Sequence, residues 1–559
     1  MNNPSIGGLE RVRQNAWFQP LLTFWQQNAT SGNIVGLLGG LCTLFLFFAL
    51  PVPWNIRVPF YLLILVGTIL RPRLALYLMP IAVPWGSLDT LTIAGLNLNS
   101  ADILVFMLGI GWLMSYAMRP SLTYDYSGIA RYDRGPRDRA QVHAPAYLFF
   151  AILGLLAAMA LSLSGAISIN SSLKEISKWL EFLVLILIGT QYIRTRQHVW
   201  IIVVMICLGG ISQAFYGYIQ AFFNIGPEAF IRDTSLRVYG TFGQPNPYAG
   251  YLNIPLSIAL AVMLLGSNWR TRILSGLAVV IIGGASYLTQ SRGAQIAFGV
   301  ALAFIVIVGM LRLRKPIALL ALALLGLLEA FFAGLIPAYV LTPAFSKLGL
   351  IQISFLTPNA QDFSTAERLA HWIAGIRMFL AHPLTGVGIG NYPDAYPQYY
   401  LSIFVNSLGH AHNYYINISA ETGAIGLTAF LLFLMAIFVA GGSSYRVISQ
   451  KWRRAKALCT TPPPNIQAPV GRREKLTLLL HPLCMVEYYR PQGIHGILQV
   501  LTNDRALAIG LLSALITVCV HNLVDDLFVH SLTNLIALLI VALISLDRVT
   551  PEPDVAAHE

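Results

Sequence analysis

The stretch that decides the fold begins at His410-Ala411-His412-Asn413 and runs into AIGLTAFLLFLMAIFVA at 424–440, which carries no charge. An α-helix rises about 1.5 Å per residue and a bilayer's hydrocarbon core is about 30 Å thick, so roughly 20 apolar residues cross it. The segment 413–440 meets that requirement. Working outward, the spacing predicts fourteen such stretches: 33–50, 56–70, 74–88, 102–118, 146–164, 176–193, 199–223, 247–265, 273–289, 293–311, 316–340, 413–440, 506–527 and 531–547. The second and third are short, and Pro80 and Pro84 interrupt the third.

Composition agrees with that count. Of 559 residues, 56% are apolar and 11% charged, with mean hydropathy +0.66. A soluble domain carries about a quarter charged residues. These values exclude a soluble globular enzyme, a disordered chain and an ordinary nucleic-acid binder. Membrane lipids are expected partners and nucleic acid is not. The expected fold is all-α: a polytopic integral membrane protein of 12–14 transmembrane helices, with one long external loop containing an amphipathic helix.

The net charge of +12 needs a different reading from that of a soluble protein. Alternating the loops between two sides leaves nine basic residues on one of them: Arg57, Lys174, Lys178, Arg232, Arg237, Arg292, Lys347, Arg368 and Arg377. The remaining 27 of the 36 fall on the other side. Basic loops stay in the cytoplasm, so both termini are predicted there. The resulting organisation is a tail over 1–32, helices over 33–340, an external loop over 341–412 and a helix over 413–440. A basic cytoplasmic loop over 441–505, helices over 506–547 and a tail over 548–559 complete it. The loop 441–505 contains Pro462-Pro463-Pro464 and reads as a partly flexible linker. No signal peptide is expected, because the first 32 residues lack a charged start followed by an apolar stretch. Within that tail Phe18, Leu21, Leu22 and Trp25 follow helical spacing. Of five cysteines, Cys42, Cys207 and Cys519 lie in expected spans and Cys459 and Cys484 in the basic loop, so disulfides are not expected.

The external side holds the candidate chemistry. Arg292 sits in Thr289-Gln290-Ser291-Arg292-Gly293, a tight turn between two apolar segments, where an unpaired charge is costly. Arg368 lies in the first turn of a helix expected over 364–382, with Ser364 as cap and Glu367 completing a capping box. Leu369, Trp372, Ile373, Ile376, Phe379 and Leu380 give that helix an apolar face suited to the membrane surface. A helix N-terminus with an arginine beside it can clamp a phosphate. Gly386-Val387-Gly388-Ile389-Gly390 has no surrounding βαβ unit and reads as a tight structural loop rather than a nucleotide site. His412 opens a membrane helix and can serve as a general base. His410 and His412 are spaced poorly for one helical face and have no third ligand nearby in sequence, so no metal is expected. His521 and Asp525, at i, i+4, are expected to pair on one helix face in a supporting role.

Together these segments resemble the O-antigen ligase family. Its pattern is His, then Asn, Ser or Gln, nine residues, Gly, two residues, then Gly, Thr or Tyr. Here it reads His412-Asn413, nine residues, Gly423, Ala424-Ile425, Gly426. His521-Asn522 does not match, because Leu532 stands at the first glycine position. Arg237-Val238-Tyr239-Gly240-Thr241-Phe242 with Pro245-Asn246-Pro247 fits the family's order. So do Ser291-Arg292-Gly293, Glu367-Arg368 and His382-Pro383-Leu384-Thr385-Gly386. The resemblance covers about 200–545. At the leucine of the family's Arg-x-x-x-Leu pattern this chain has Ile296 and Trp372.

The resemblance implies an inverting membrane glycosyltransferase, independent of metal and cofactor, working on the external face of the inner membrane. The donor would be a glycan on a polyprenyl pyrophosphate, such as undecaprenyl pyrophosphate. The acceptor would be a hydroxyl of lipid A–core lipopolysaccharide, of another glycan repeat or of a protein. It implies that His412, Arg368 and Arg292 are catalytic, with Arg237, Asn413, His410, Tyr414 and Tyr415 as substrate contacts. Tyr392, Tyr396, Tyr399 and Tyr400 are further candidates for stacking on sugar rings. The alternative is a bicarbonate transporter. It would need polar groups near mid-bilayer, for which Glu329 in the span 316–340 is the best candidate, while Lys174, Glu175, Lys178 and Glu181 flank another span.

Overall fold

The computed structural model describes residues 54–88, 90–93, 96–117, 144–232, 235–310, 363–401, 403–460, 493–529 and 531–553. The spans expected at 33–50 and 316–340, the helical spacing in the N-terminal tail, Glu329, Lys347 and the triple proline lie outside the described residues.

The described chain is all-α. Its helices are α1 (Trp54–Leu70), α2 (Arg73–Trp85), α3 (Ser100–Ala117), α4 (Ala146–Ser162), α5 (Ile169–Tyr192), α6 (Arg196–Phe223) and α7 (Pro245–Leu265). They continue with α8 (Trp269–Leu288), α9 (Arg292–Gly309), α10 (Phe363–Ala381), α11 (Tyr392–Ala395), α12 (Tyr414–Thr460), α13 (Gly493–His521) and α14 (Leu532–Val549). Two short antiparallel hairpins, 90–99 and 231–236, join helices at the end that also holds 412 and 525. Eight of the described helices are long and apolar enough to cross a membrane: α4, α6, α7, α8, α9, α12, α13 and α14. The chain is a multi-pass membrane protein.

Burial separates the spans into two classes. Most of α7, α13 and α14 is enclosed by other helices, whereas α8 and α9 turn most of their surface outward. An apolar helix gains nothing by leaving lipid for protein on hydrophobicity alone, so close packing must hold the centre. Gly209 and Gly210 on α6 supply such packing: a Cβ on the first would lie 2.7 Å from the Pro80 carbonyl oxygen, and one on the second 2.6 Å from the Pro255 ring. Near one end, Trp179, Phe182, Phe430, Phe433 and Phe528 form an aromatic cluster tying α5, α12 and the 522–531 turn together.

Two boundaries differ from the sequence reading for physical reasons. The helix begun at Tyr414 continues to Thr460, through the first part of the expected 441–505 loop. Ser444, Ile448, Lys451 and Ala455 keep a buried face, and Ala455 packs on Ile497 and Leu501 of α13. Charge marks where the apolar span ends but does not stop the helix. The amphipathic helix α10 begins at Phe363, one residue before the expected cap. Its buried face is Ala366, Ala370, Ala374 and Met378, set against α12 and the following loops, while Ile376 and Leu380 remain exposed.

Candidate active site

The site forms where four loops meet at one end of the bundle. The first is the motif loop leading into α12. Gly423 has φ 65° and ψ −163°, a conformation only glycine adopts readily, and it kinks α12 one helical segment after His412. A Cβ there would overlap the Leu384 carbonyl. Reciprocally, Gly386 (φ 68°) presses its α-carbon against the backbone at Glu421. Backbone bonds from Val387 and Gly388 N–H to Ala420 and Glu421 carbonyls, and from Ala424 N–H to the Pro383 carbonyl, lock this contact. The glycine-rich loop is therefore a structural clasp, as its sequence context indicated.

The second element is the turn after α13. Asn413 caps α12 by accepting from the Ile416 N–H at 3.1 Å, and its side-chain amide donates to the Leu523 carbonyl at 2.8 Å. The Tyr414 N–H donates to the Asn522 carbonyl at 2.9 Å, and Asn522 accepts from the Leu527 N–H at 2.8 Å. These bonds fasten the start of α12 to the 522–527 turn and bring Asp525 to the two histidines. His412 Nδ1 lies 3.4 Å from Asp525 Oδ1, and His410 Nε2 lies 4.0 Å from the same oxygen. The His410 Nδ1 accepts from the His412 backbone N–H at 3.1 Å. That bond places the His410 proton on Nε2, facing the carboxylate. Pairing with Asp525 likewise places the His412 proton on Nδ1 and leaves Nε2 as an acceptor.

Asp525 is 1% exposed and sits in the turn beyond the helix end. Burial alone would raise its pKa. The hydrogen bond from His412, together with the charges of His412, His410 and Arg368, outweighs burial and holds it below the ordinary carboxylate range. Its Oδ1 also accepts from the Asp526 N–H, and its Oδ2 has no partner among the described residues. The expected pairing of His521 with Asp525 is corrected. The helix stops at His521, so the two no longer share a helical face, and His521 Nδ1 is buried without a hydrogen-bond partner among the described residues.

The sequence offered no third partner for His410 and His412, yet the fold brings one from 113 residues away. Ligand atoms of His410, His412 and Asp525 lie within 4.8 Å of one another and could hold a metal ion. Of these contacts, the one between His412 Nδ1 and Asp525 Oδ1 is within hydrogen-bond distance, and His410 Nε2 faces the same oxygen from 4.0 Å.

The arginines occupy different situations. Arg368, half-buried on α10, has no hydrogen bond or ion pair among the described residues, and its field reaches Asp525, His521 and Glu367. Burial raises the Glu367 pKa against the pull of His412 and Arg368. Arg292 is the first residue of α9, and the neighbouring Gly293 would press a Cβ 2.5 Å from Val524 and 3.8 Å from the His521 ring. The N-terminus of α9 thus abuts the turn that carries Asp525. Arg237 donates from Nε to the Thr289 carbonyl at 3.0 Å and from a terminal nitrogen to Asn246 Oδ1 at 3.2 Å. It braces the turn that presents Arg292.

The tyrosines are placed differently from expectation. Tyr414 is 3% exposed, its ring packed on Phe430 and Phe528, with no face open to a sugar. The Tyr415 hydroxyl donates to the Cys519 carbonyl at 3.1 Å. Tyr392 and Tyr396 are buried, whereas Tyr400 is exposed. Asn413 spends its side chain on the cap and the turn, not on an open surface.

Sequence reasoning passed over His371. Fully buried on α10, it stacks on Tyr396 at 4.7 Å and meets the His412 ring edge-on at 5.5 Å. The Tyr392 hydroxyl donates to the His371 carbonyl and accepts from its Nδ1 at 3.2 Å, leaving Nε2 without a partner among the described residues. Burial, then the charges of His412 and His410, lower its pKa to about 4, so it is neutral near pH 7.

Residues 277–431 match the family described as O-antigen ligase, a stretch that includes Arg292, Arg368 and the His412–Gly426 motif. No curated protein matches the chain. The match supports a glycosyltransferase-like membrane enzyme that ligates glycans.

Proposed function

We propose that the chain, whose residues 277–431 match the family described as O-antigen ligase, moves a glycan from a polyprenyl-pyrophosphate carrier to an acceptor hydroxyl, on the external face of the inner membrane. One observation carries this reading. His412 Nδ1 is engaged by a buried carboxylate, which leaves Nε2 able to accept a proton, and Arg368, without a hydrogen bond or ion pair among the described residues, lies within electrostatic reach of the same carboxylate.

Arg368 and Arg292 hold the pyrophosphate. His412 Nε2 takes the proton from the acceptor hydroxyl as its oxygen attacks the anomeric carbon. The bond from that carbon to the phosphate oxygen breaks, and its electron pair leaves with the polyprenyl pyrophosphate, whose growing charge the arginines neutralise. Attack opposite the leaving group inverts the configuration. Asp525 stabilises the imidazolium and fixes its tautomer. The carrier is already activated, so no metal step is needed, and the cluster of His410, His412 and Asp525 works as a relay. The acceptor is lipid A–core, a further repeat unit or a protein hydroxyl.

The test is transfer by the purified full chain in liposomes, with a lipid-linked oligosaccharide as donor and a chelator present. Wild-type protein should transfer, while Arg368→Gln and Arg292→Gln should each lose about a hundredfold or more. Chelator-sensitive transfer would overturn the metal-free mechanism. Absence of transfer accompanied by uptake of labelled bicarbonate would replace the reading with transport.

A further inference from the structure

The geometry points to a second, non-catalytic site: a pocket at the far end of α12 that binds the phosphodiester headgroup of an anionic membrane phospholipid. The pocket has a volume of about 470 Å³ and is lined by Gly442, Tyr445, Arg446, Ser449, Gln450 and Arg453. That volume suits a small polar ligand. Arg446 and Arg453 are two helical turns apart on one face, so their guanidinium groups can bracket one anion. Neither has a hydrogen bond or ion pair among the described residues. Between them Ser449 is 8% exposed, and its Oγ has no partner among the described residues. A buried hydroxyl without a partner costs stability, so a ligand oxygen there would satisfy it. Among the described residues, no acidic side chain lines the pocket.

The outer face of α12 argues for a lipid rather than a soluble anion. Exposed positions run Leu432, Met435, Val439, Ser443, Arg446, Gln450 and Arg453, at spacings of three and four, which is one continuous stripe. Leu432, Met435 and Val439 are 50%, 57% and 53% exposed. The stripe is apolar as far as Val439 and becomes basic where the pocket opens. From Ile425, just past the kink, to Arg446 is about 32 Å at 1.5 Å per residue, close to one hydrocarbon thickness. The guanidinium groups therefore lie at headgroup depth, with acyl chains able to run along the apolar part of the same stripe. Basic pockets at this depth recognise anionic lipid headgroups.

The experiment measures lipid binding to the purified full chain by native mass spectrometry. Its probes are dioleoylphosphatidylglycerol, dioleoylphosphatidylcholine and inorganic phosphate. Phosphatidylglycerol should bind in preference to phosphatidylcholine. Arg446→Gln and Arg453→Gln should each weaken phosphatidylglycerol about fivefold, and the double variant about 25-fold. Arg454→Gln, outside the pocket, should leave it unchanged. A Cβ at Gly442 meets nothing within 4 Å, so Gly442→Leu should fold and should displace the lipid by filling the pocket. Unaltered binding of phosphatidylglycerol by the double variant and by Gly442→Leu would overturn the proposal. So would displacement of the lipid by millimolar inorganic phosphate, which would mark a site for free anions.

Discussion

The two ends of α12 carry charge in opposite ways. At His412 the ionisable groups are few, buried and oriented by one another: Asp525, His410 and His371 surround the imidazole, and backbone bonds fix the loops that hold them. At the Thr460 end basic residues are many, and Arg446, Arg453 and Arg454 are exposed. Lys451 is the exception there. It is buried and donates to the Asp547 and Thr550 carbonyls while pairing with Glu552 at 2.8 Å. One end is organised before any substrate arrives, whereas the other presents charges to the membrane surface. Pre-oriented dipoles in a water-poor site act strongly on a reaction, and exposed charges are screened.

The largest expected effect lies at the organised end. His412→Ala should lower transfer by about 10² to 10⁴, the range for a general base. Asp525→Asn keeps the shape but presents an amide to His412, favouring the wrong tautomer, and should cost about a hundredfold or more. Both are read as initial rates of glycan transfer in liposomes. Full activity in His412→Ala would remove the assigned base. Full activity in Asp525→Asn alone would reduce the carboxylate to a structural anchor.

A somewhat smaller effect concerns stability and pH. His371 is held neutral in the fold, with its pKa lowered from about 6.5 to about 4, first by burial. The unfolded chain takes up a proton near pH 6.5, while the folded chain resists until about pH 4. The contribution of His371 to stability is therefore complete above pH 6.5 and is lost as pH falls toward 4, by up to about 3 kcal/mol. His371→Gln should flatten the decline in melting temperature between those values, measured in detergent. An unchanged slope would place the pH sensitivity elsewhere in the cluster.

These effects also show what could be read from the chain. The spans were legible because bilayer thickness imposes a length and a composition on each helix, and twelve of the fourteen expected stretches correspond to described helices. His412, Arg292 and Arg368 stood out as candidates because polar side chains beside apolar segments are scarce. Asp525 was noticed but given the wrong partner. The i, i+4 rule assumes a continuing helix, and α13 ends at His521. The true partner lies 113 residues away, a distance that no periodicity encodes. Tyr414 was expected to touch substrate because an aromatic at a helix mouth beside the motif histidine can stack on a sugar ring. Its burial depends on Phe430 and Phe528, one sixteen residues on, past the Gly423 kink, and one on another loop. His371 escaped notice because a histidine in an amphipathic helix has no signature until its neighbours are known.

Lys451→Met tests whether a buried charge at the other end serves stability alone. The change leaves the Asp547 and Thr550 carbonyls and the half-exposed Glu552 without their cation. Hydrogen bonds from a charged group contribute about 1.5–3 kcal/mol each where buried, so the variant should lose a few kcal/mol at most. Transfer measured below the new melting temperature should stay within about twofold of wild type. A large loss of transfer with stability intact would join the two ends into one functional unit and break the contrast.

The smallest effect is expected at Arg454, which is exposed and has no hydrogen bond or ion pair among the described residues. Surface substitutions of this kind stay within about 0.5 kcal/mol. Arg454→Gln should therefore leave both melting temperature and transfer unchanged, although it removes the same charge as Arg368→Gln. The pair isolates position from charge: both variants lose one guanidinium, and only the one in reach of Asp525 loses a charge that acts on the buried carboxylate. Equal losses in both variants would mean that the enzyme responds to its total basic charge. The organised end of α12 would then hold no special place in the chemistry.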